Sequence, residues 1–132
     1  MNMNINAKVR RGGKNSYDCC ADSDIGNCQL VGYGSTAKEA ISDFYVSYEE
    51  LKQRDGDAVP EVEFSFQFDV GSLFNYYSFL NIEGIAKLAG ISPAVLRQYA
   101  SGARNPKEST LQTIRMALVE AAKQLERVVL CT

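Results

Sequence analysis

Ile5, Ala7 and Val9 alternate with Asn6, Lys8 and Arg10, the period of a strand with one buried face. Arg11-Gly12-Gly13-Lys14-Asn15 has the composition of a turn, and Tyr17, Cys19 and Ala21 then alternate again, which predicts a hairpin. A loop over residues 22–27 leads to a third short strand expected over residues 28–33 and ending at Gly34. From Thr36 the period changes. Thr36-Ala37-Lys38-Glu39 reads as a capping box, in which hydroxyl and carboxylate satisfy each other's free N–H groups. Ala37, Ala40, Ile41, Phe44, Tyr48 and Leu51 follow at spacings of three and four, predicting a helix over residues 36–53. Residues 54–61 read as a loop. Val62, Phe64, Phe66 and Phe68 then alternate with Glu63, Ser65, Gln67 and Asp69 as a fourth strand. Its three rings need a covering layer, which the helix supplies, and burial of each contributes about 2–3 kcal/mol.

Val70-Gly71-Ser72 reads as a hinge, with Ser72 capping a helix over residues 73–80. The aromatics Phe74, Tyr76, Tyr77 and Phe79 of that helix are expected in the core rather than as a base-stacking platform. Asn81 and Ser92 are N-cap residues, Pro93 sits at a first helical position, and Gly90 and Gly102 stand where helices end. Two short helices around a Gly-containing break at residues 89–92 make a helix-turn-helix. A final helix is expected over residues 108–129, with Leu111, Ile114, Leu118, Ala121, Leu125 and Val128 as a short apolar seam. The expected fold class is α+β. A small β-β-β-α-β domain spans residues 1–69, and an all-α helix-turn-helix domain spans residues 70–132.

Net charge is −2, but residues 1–80 carry 7 basic and 12 acidic side chains and residues 81–132 carry 7 basic and 4 acidic. An acidic front and a basic back fit two different jobs, the second one facing DNA. No run of apolar residues reaches membrane-spanning length and the N-terminus lacks the order of a secretory signal, so the expected compartment is the cytoplasm. The chain has no histidine, which removes Ser-His and Cys-His nucleophile pairs. Cys19, Cys20, Cys28 and Cys131 show no metal-ligand spacing and read as reduced thiols, so no metal, cofactor or catalytic residue is expected. Asp18, Asp22 and Asp24 read as turn formers, with a Mg²⁺-dependent nuclease as the competing idea.

In the helix-turn-helix, Ile85, Ala86 and Leu88 are expected inward, Ile91 in the turn, and Leu96 and Tyr99 beneath the second helix. That leaves Pro93, Ala94, Arg97 and Gln98 facing out as base-contact candidates, with Val95 at their margin. Arg97 can offer a fork of donors to guanine or to a phosphate, and Gln98 can pair with the adenine edge. Ser92, Ser101, Arg104, Asn105 and Lys107 are candidates for phosphate contacts that fix register.

Ala86, Gly90-Ile91-Ser92, Leu96, Tyr99, Gly102, Pro106 and the closing Leu111, Ile114 and Leu118 resemble the Cro/repressor (XRE-type) helix-turn-helix over some 45 residues. The chain departs from that pattern at Ala100, where the family favours an acidic residue, and at Pro93 and Ala94, which are poor hydrogen bonders. Tyr17, Gly34-Ser35-Thr36, Glu39-Ala40 and Phe68-Asp69 resemble the HicB antitoxin family, whose members join a partial RNase H-like domain to a DNA-binding domain. The resemblance implies an N-terminal domain that binds and masks a small toxin ribonuclease, and a repressor acting on operator DNA of its own operon. The apolar surplus of the final helix from Ala121 to Val129, or the N-terminal sheet edge, is expected to make a two-fold homodimer. The alternative from the residues alone is a protein-protein adaptor that binds no DNA.

Overall fold

The computed structural model describes residues 3–132 and is a mixed α+β protein with one four-stranded sheet. Strand β1 (Met3–Gly13) buries Ile5, Ala7 and Val9 and turns Asn4, Asn6, Lys8 and Arg10 outward. It runs past the expected turn, leaving only Lys14 and Asn15 to reverse the chain. Strand β2 (Ser16–Ala21) returns antiparallel, with Cys19 opposite Val9 and Ala21 opposite Ala7. Strand β3 (Val31–Gly34) continues antiparallel on β2 but is shorter than expected. The difference lies at Gly26, whose φ of 62° folds Cys28 back onto Ile25 in an isolated bridge. Strand β4 (Val62–Phe68) lies parallel to β1, Phe64 beside Ile5 and Phe68 beside Val9, in a sheet of order β3-β2-β1-β4.

Helix α1 (Ala37–Asp55) buries Ala37, Ala40, Phe44, Tyr48 and Leu51 against the sheet. Thr36 Oγ1 accepts the Glu39 N–H at 3.1 Å, as its capping role requires. The Glu39 carboxylate does not close the box on Thr36. It accepts instead from the Ser35 hydroxyl at 2.9 Å and the Ser35 N–H at 3.4 Å. Gly32 and Gly34 let α1 lie directly on β3. A Cβ on Gly34 would stand 2.5 Å from the Glu39 Cβ, and one on Gly32 would overlap the backbone of Phe44 and Ala40. The helix continues past residue 53, and a 3-10 turn (Gly56–Ala58) occupies part of the expected loop.

Phe64, Phe66 and Phe68 are half-buried, because β4 is an edge strand and α1 covers only part of each ring. Their area contribution is therefore below the full-burial figure. Phe44 packs edge-on to Phe64 at 4.8 Å, and Tyr48 does so at 5.2 Å. The Tyr48 hydroxyl donates to the Pro60 carbonyl (2.9 Å) and accepts the Val62 N–H (3.0 Å), tying α1 to the start of β4.

The expected hinge is not a loop. Val70, Gly71 and Ser72 are buried in helix α2 (Val70–Tyr76). Ser72 does not cap that helix, since its hydroxyl donates to the Val9 carbonyl at 2.6 Å. Asp69 takes the capping role, accepting the Ser72 N–H (2.9 Å) and the Arg11 N–H (3.0 Å). Asn75 Oδ1 accepts the Ala37 N–H at 2.7 Å, so α2 satisfies one of α1's orphan donors. The chain divides into Met1–Tyr76 and Tyr77–Thr132, which places α2 with the sheet and the boundary later than residue 69. The expected core role of the aromatics fails from the end of α2 onward: Phe74 is half-buried, but Tyr76, Tyr77 and Phe79 are exposed, Phe79 by 76 %.

The second unit holds α3 (Ile82–Ala89), α4 (Pro93–Ser101) and α5 (Glu108–Glu126). Ile85, Ala86, Leu96, Ala100, Ile114 and Ala117 are its buried residues. Leu88, expected inward, is 45 % exposed. The expected seam closes early, because α5 stops at Glu126 and Leu125, Val128, Val129 and Leu130 are exposed. Among the described residues no helix is long and apolar enough to cross a membrane.

Candidate nucleic-acid interface

The local chemistry of the second unit sets out one helix face. Asn81 Oδ1 accepts the Gly84 N–H at 2.9 Å and starts α3. Gly90 (φ 71°) ends α3 in the left-handed region, where its N–H and that of Ile91 return to α3 carbonyls. Ser92 starts α4 without a side-chain cap; only its carbonyl is engaged, by the Leu96 N–H at 3.0 Å. Pro93 needs no such cap for its own position, having no N–H to satisfy.

With Leu96 and Ala100 buried beneath it, α4 exposes Ala94, Arg97 and Gln98, and leaves Pro93, Val95 and Tyr99 half-buried. Three of the four base-contact candidates thus share the open side, and Pro93 lies at its edge. The Arg97 guanidinium is not idle. Its Nη1 lies 3.3 Å from Glu83 Oε1, an ion pair from α4 to the first turn of α3 whose side chains are 53 % and 64 % exposed. Glu83 escaped the sequence reading because its partner is 14 residues away and no spacing rule links positions across the turn.

The phosphate-contact candidates Ser101, Arg104, Asn105 and Lys107 are exposed in and after the last turn of α4, and Ser92 is exposed before its first. Ser101 has local work: its hydroxyl donates to the Gln98 carbonyl (3.1 Å) and accepts the Ala103 N–H (3.3 Å). The Arg104 N–H also donates to the Gln98 carbonyl, at 3.3 Å, which curls the segment back under α4. Among the described residues no ion pair holds Arg104 or Lys107. The side of the unit formed by α4 and this segment therefore carries cations of which, among the described residues, Arg97 alone has an ion-pair partner, Glu83.

The first unit offers less chemistry. Asp18 accepts from the Cys20 thiol at 3.7 Å and faces Arg10 across the ladder. Burial, and then the neighbouring Cys20 and Asp18, push the Cys19 thiol up to about 12, so it stays protonated and unreactive. Burial also raises Cys20, followed by the Asp18 charge. Among the described residues no three of His, Cys, Asp and Glu gather where they could hold a metal ion. The residues that carry the HicB resemblance have structural employment: Tyr17 is buried opposite Gly34, Thr36 caps α1 and Asp69 caps α2.

No family model, curated protein or solved structure matches this chain. The functional reading therefore rests on the α3–α4 geometry and on the residues it exposes.

Proposed function

We propose that this chain is a dimeric, sequence-specific DNA-binding repressor. Its second unit is an XRE-type helix-turn-helix, and its first is a HicB-type domain that masks a small toxin ribonuclease whose operon the dimer represses. The observation that carries the DNA-binding reading is the open face of α4. Leu96 and Ala100 hold the helix from below while Ala94, Arg97 and Gln98 stand outward and lead into the exposed Arg104–Lys107 segment. A major groove about 12 Å wide admits a helix presented this way. The Arg97–Glu83 pair does not prevent engagement, because an exposed ion pair contributes only about 0–1 kcal/mol. Two such helices in a two-fold dimer address half-sites about 34 Å apart, or a multiple of that.

Pro93 and Ala94 offer apolar contact only, so Arg97 and Gln98 carry the hydrogen-bonding readout. Selection from a pool of random duplexes supplies a preferred sequence against which to test them. Arg97→Ala with Gln98→Ala should remove most of the preference over random duplex, each bidentate contact being worth about 1–3 kcal/mol. Helix content should not change, since both side chains are exposed. An unchanged preference in the double variant would show that readout lies elsewhere.

One observation favours a protein-protein adaptor instead. Leu88 and Met116 are exposed, by 45 % and 60 %, and line a groove of about 340 Å³ between α3 and α5. Under that reading partner binding depends on Leu88 and Met116 and responds weakly to salt. DNA binding depends on Arg97, Arg104 and Lys107 and responds steeply.

A further inference from the structure

The sheet of the first unit has two outer edges of different kinds, and α1 already engages that of β3: the Tyr33 N–H donates to Asp43 at 2.9 Å and the Val31 carbonyl accepts from the Ser47 hydroxyl at 3.2 Å. β3 presents four residues, two of them glycine, whereas β4 presents seven in regular alternation with no proline, lysine or bulge. Long, regular edges are templates for pairing, and proteins that stay monomeric blunt them. The parallel ladder settles which backbone groups of β4 face outward. Met3 N–H donates to the Glu61 carbonyl at one end, and Asp69 N–H donates to the Val9 carbonyl at the other, both at 3.1 Å. Odd-numbered residues thus turn their backbone groups toward β1, and Phe64 and Phe66 turn theirs to the open edge. The half-buried rings of these two residues lie 5.8 and 5.9 Å from Tyr45, itself 41 % exposed.

We propose that β4 pairs antiparallel with β4 of a second copy, about a two-fold axis at Ser65. The inference rests on the dimer of the proposed function and names its interface. Overlap of the whole strand sets Phe64 opposite Phe66 of the second copy, a hydrogen-bonded pair that exchanges both N–H···O bonds on each side of the axis. A one-residue slip would oppose groups already spent on β1. The same register sets Ser65 opposite its own copy and Glu63 opposite Gln67, an acceptor facing a donor, so no like charges meet along the strand. Beyond the strand ends Asp69 faces Glu61 of the second copy; a two-residue slip toward the C-terminus would instead bring Asp69 against Glu63, which has no ion-pair partner among the described residues. Of the other carboxylates at this edge, Glu49 and Glu61 are held by Lys52 at 3.4 and 3.6 Å. The Tyr45, Phe64 and Phe66 rings of both copies then form one aromatic layer, and the contact closes on itself as a two-fold interface.

Ser65 meets its copy as a non-hydrogen-bonded pair with Cα atoms about 4.5 Å apart, within disulfide reach. Ser65→Cys, placed in the full chain with Cys20, Cys28 and Cys131 changed to serine, should therefore give a covalent dimer with diamide. Gln67→Cys alone should not, and Glu63→Cys combined with Gln67→Cys should. In sedimentation, Ser65→Lys should raise the dimer dissociation constant roughly five-fold by setting like charges across the axis. A chain that sediments as a dimer yet resists trapping at position 65 overturns this interface and leaves the DNA-binding reading standing. A monomer that is never trapped overturns the interface and the dimer together. A trapped dimer that binds no duplex upholds the interface and counts against the DNA-binding reading alone.

Discussion

Phe44→Ala should lower the unfolding free energy of the first unit by about 3–5 kcal/mol, most of the stability of a domain this size. The ring is fully buried and edge-on to Phe64 at 4.8 Å, to Tyr45 at 6.0 Å and to Phe66 at 6.1 Å. No neighbour can move in to refill the space, because Ala40 and the β3 glycines already bring backbone to backbone. Gly32→Ala reaches the same contact from the other side. Its new methyl meets the α1 backbone at Phe44 and Ala40, which cannot yield as a side-chain tip would, and about 3 kcal/mol of strain is expected. Gly13→Ala is the control, since a Cβ there meets nothing within 4 Å, and it should stay within about 0.5 kcal/mol of the parent. Urea unfolding followed by circular dichroism measures all three. A loss below about 1 kcal/mol in Phe44→Ala would contradict the packing described.

Leu96→Ala should cost about 2–5 kcal/mol in a unit with few buried residues, enough to unfold much of it. Leu96 is fully buried beneath α4, so its loss removes the floor on which Arg97 and Gln98 stand. DNA affinity should fall together with helix content and Tm. Arg97→Ala separates the two effects, lowering affinity while thermal unfolding stays near that of the parent, because the side chain is 53 % exposed. A Leu96→Ala chain with unchanged Tm would mean that α4 is held by something other than the α3–α5 core.

The features legible in the sequence are those whose cause is local. Alternation at Ile5, Ala7 and Val9 gives buried and exposed faces without knowledge of the partner strand. The Thr36 cap and the left-handed Gly90 and Gly102 answer to neighbours within one turn. Misreadings cluster where the deciding partner is remote. Ser72 passes for a cap until its hydroxyl meets the Val9 carbonyl, 63 residues away. The β4 phenylalanines pass for full core until the sheet order makes β4 an edge. Leu88 matches an inward helical position, but it stands at the open groove between α3 and α5 and stays 45 % exposed. In the candidate site the outward set on α4 was readable from helical period alone. The Glu83 partner of Arg97 was not, because it depends on how two helices cross.

The DNA-binding claim meets its most direct test in the salt dependence of binding to the selected duplex, measured by fluorescence anisotropy on the full chain. Engagement through Arg97, Arg104 and Lys107 of each copy predicts that log K falls linearly with log salt. Each phosphate contact adds about 0.9 to the slope, and Lys107→Ala in a dimer removes about two such increments. Binding that ignores salt, or selection that enriches no duplex at all, would contradict the reading of α4 as a helix that enters DNA.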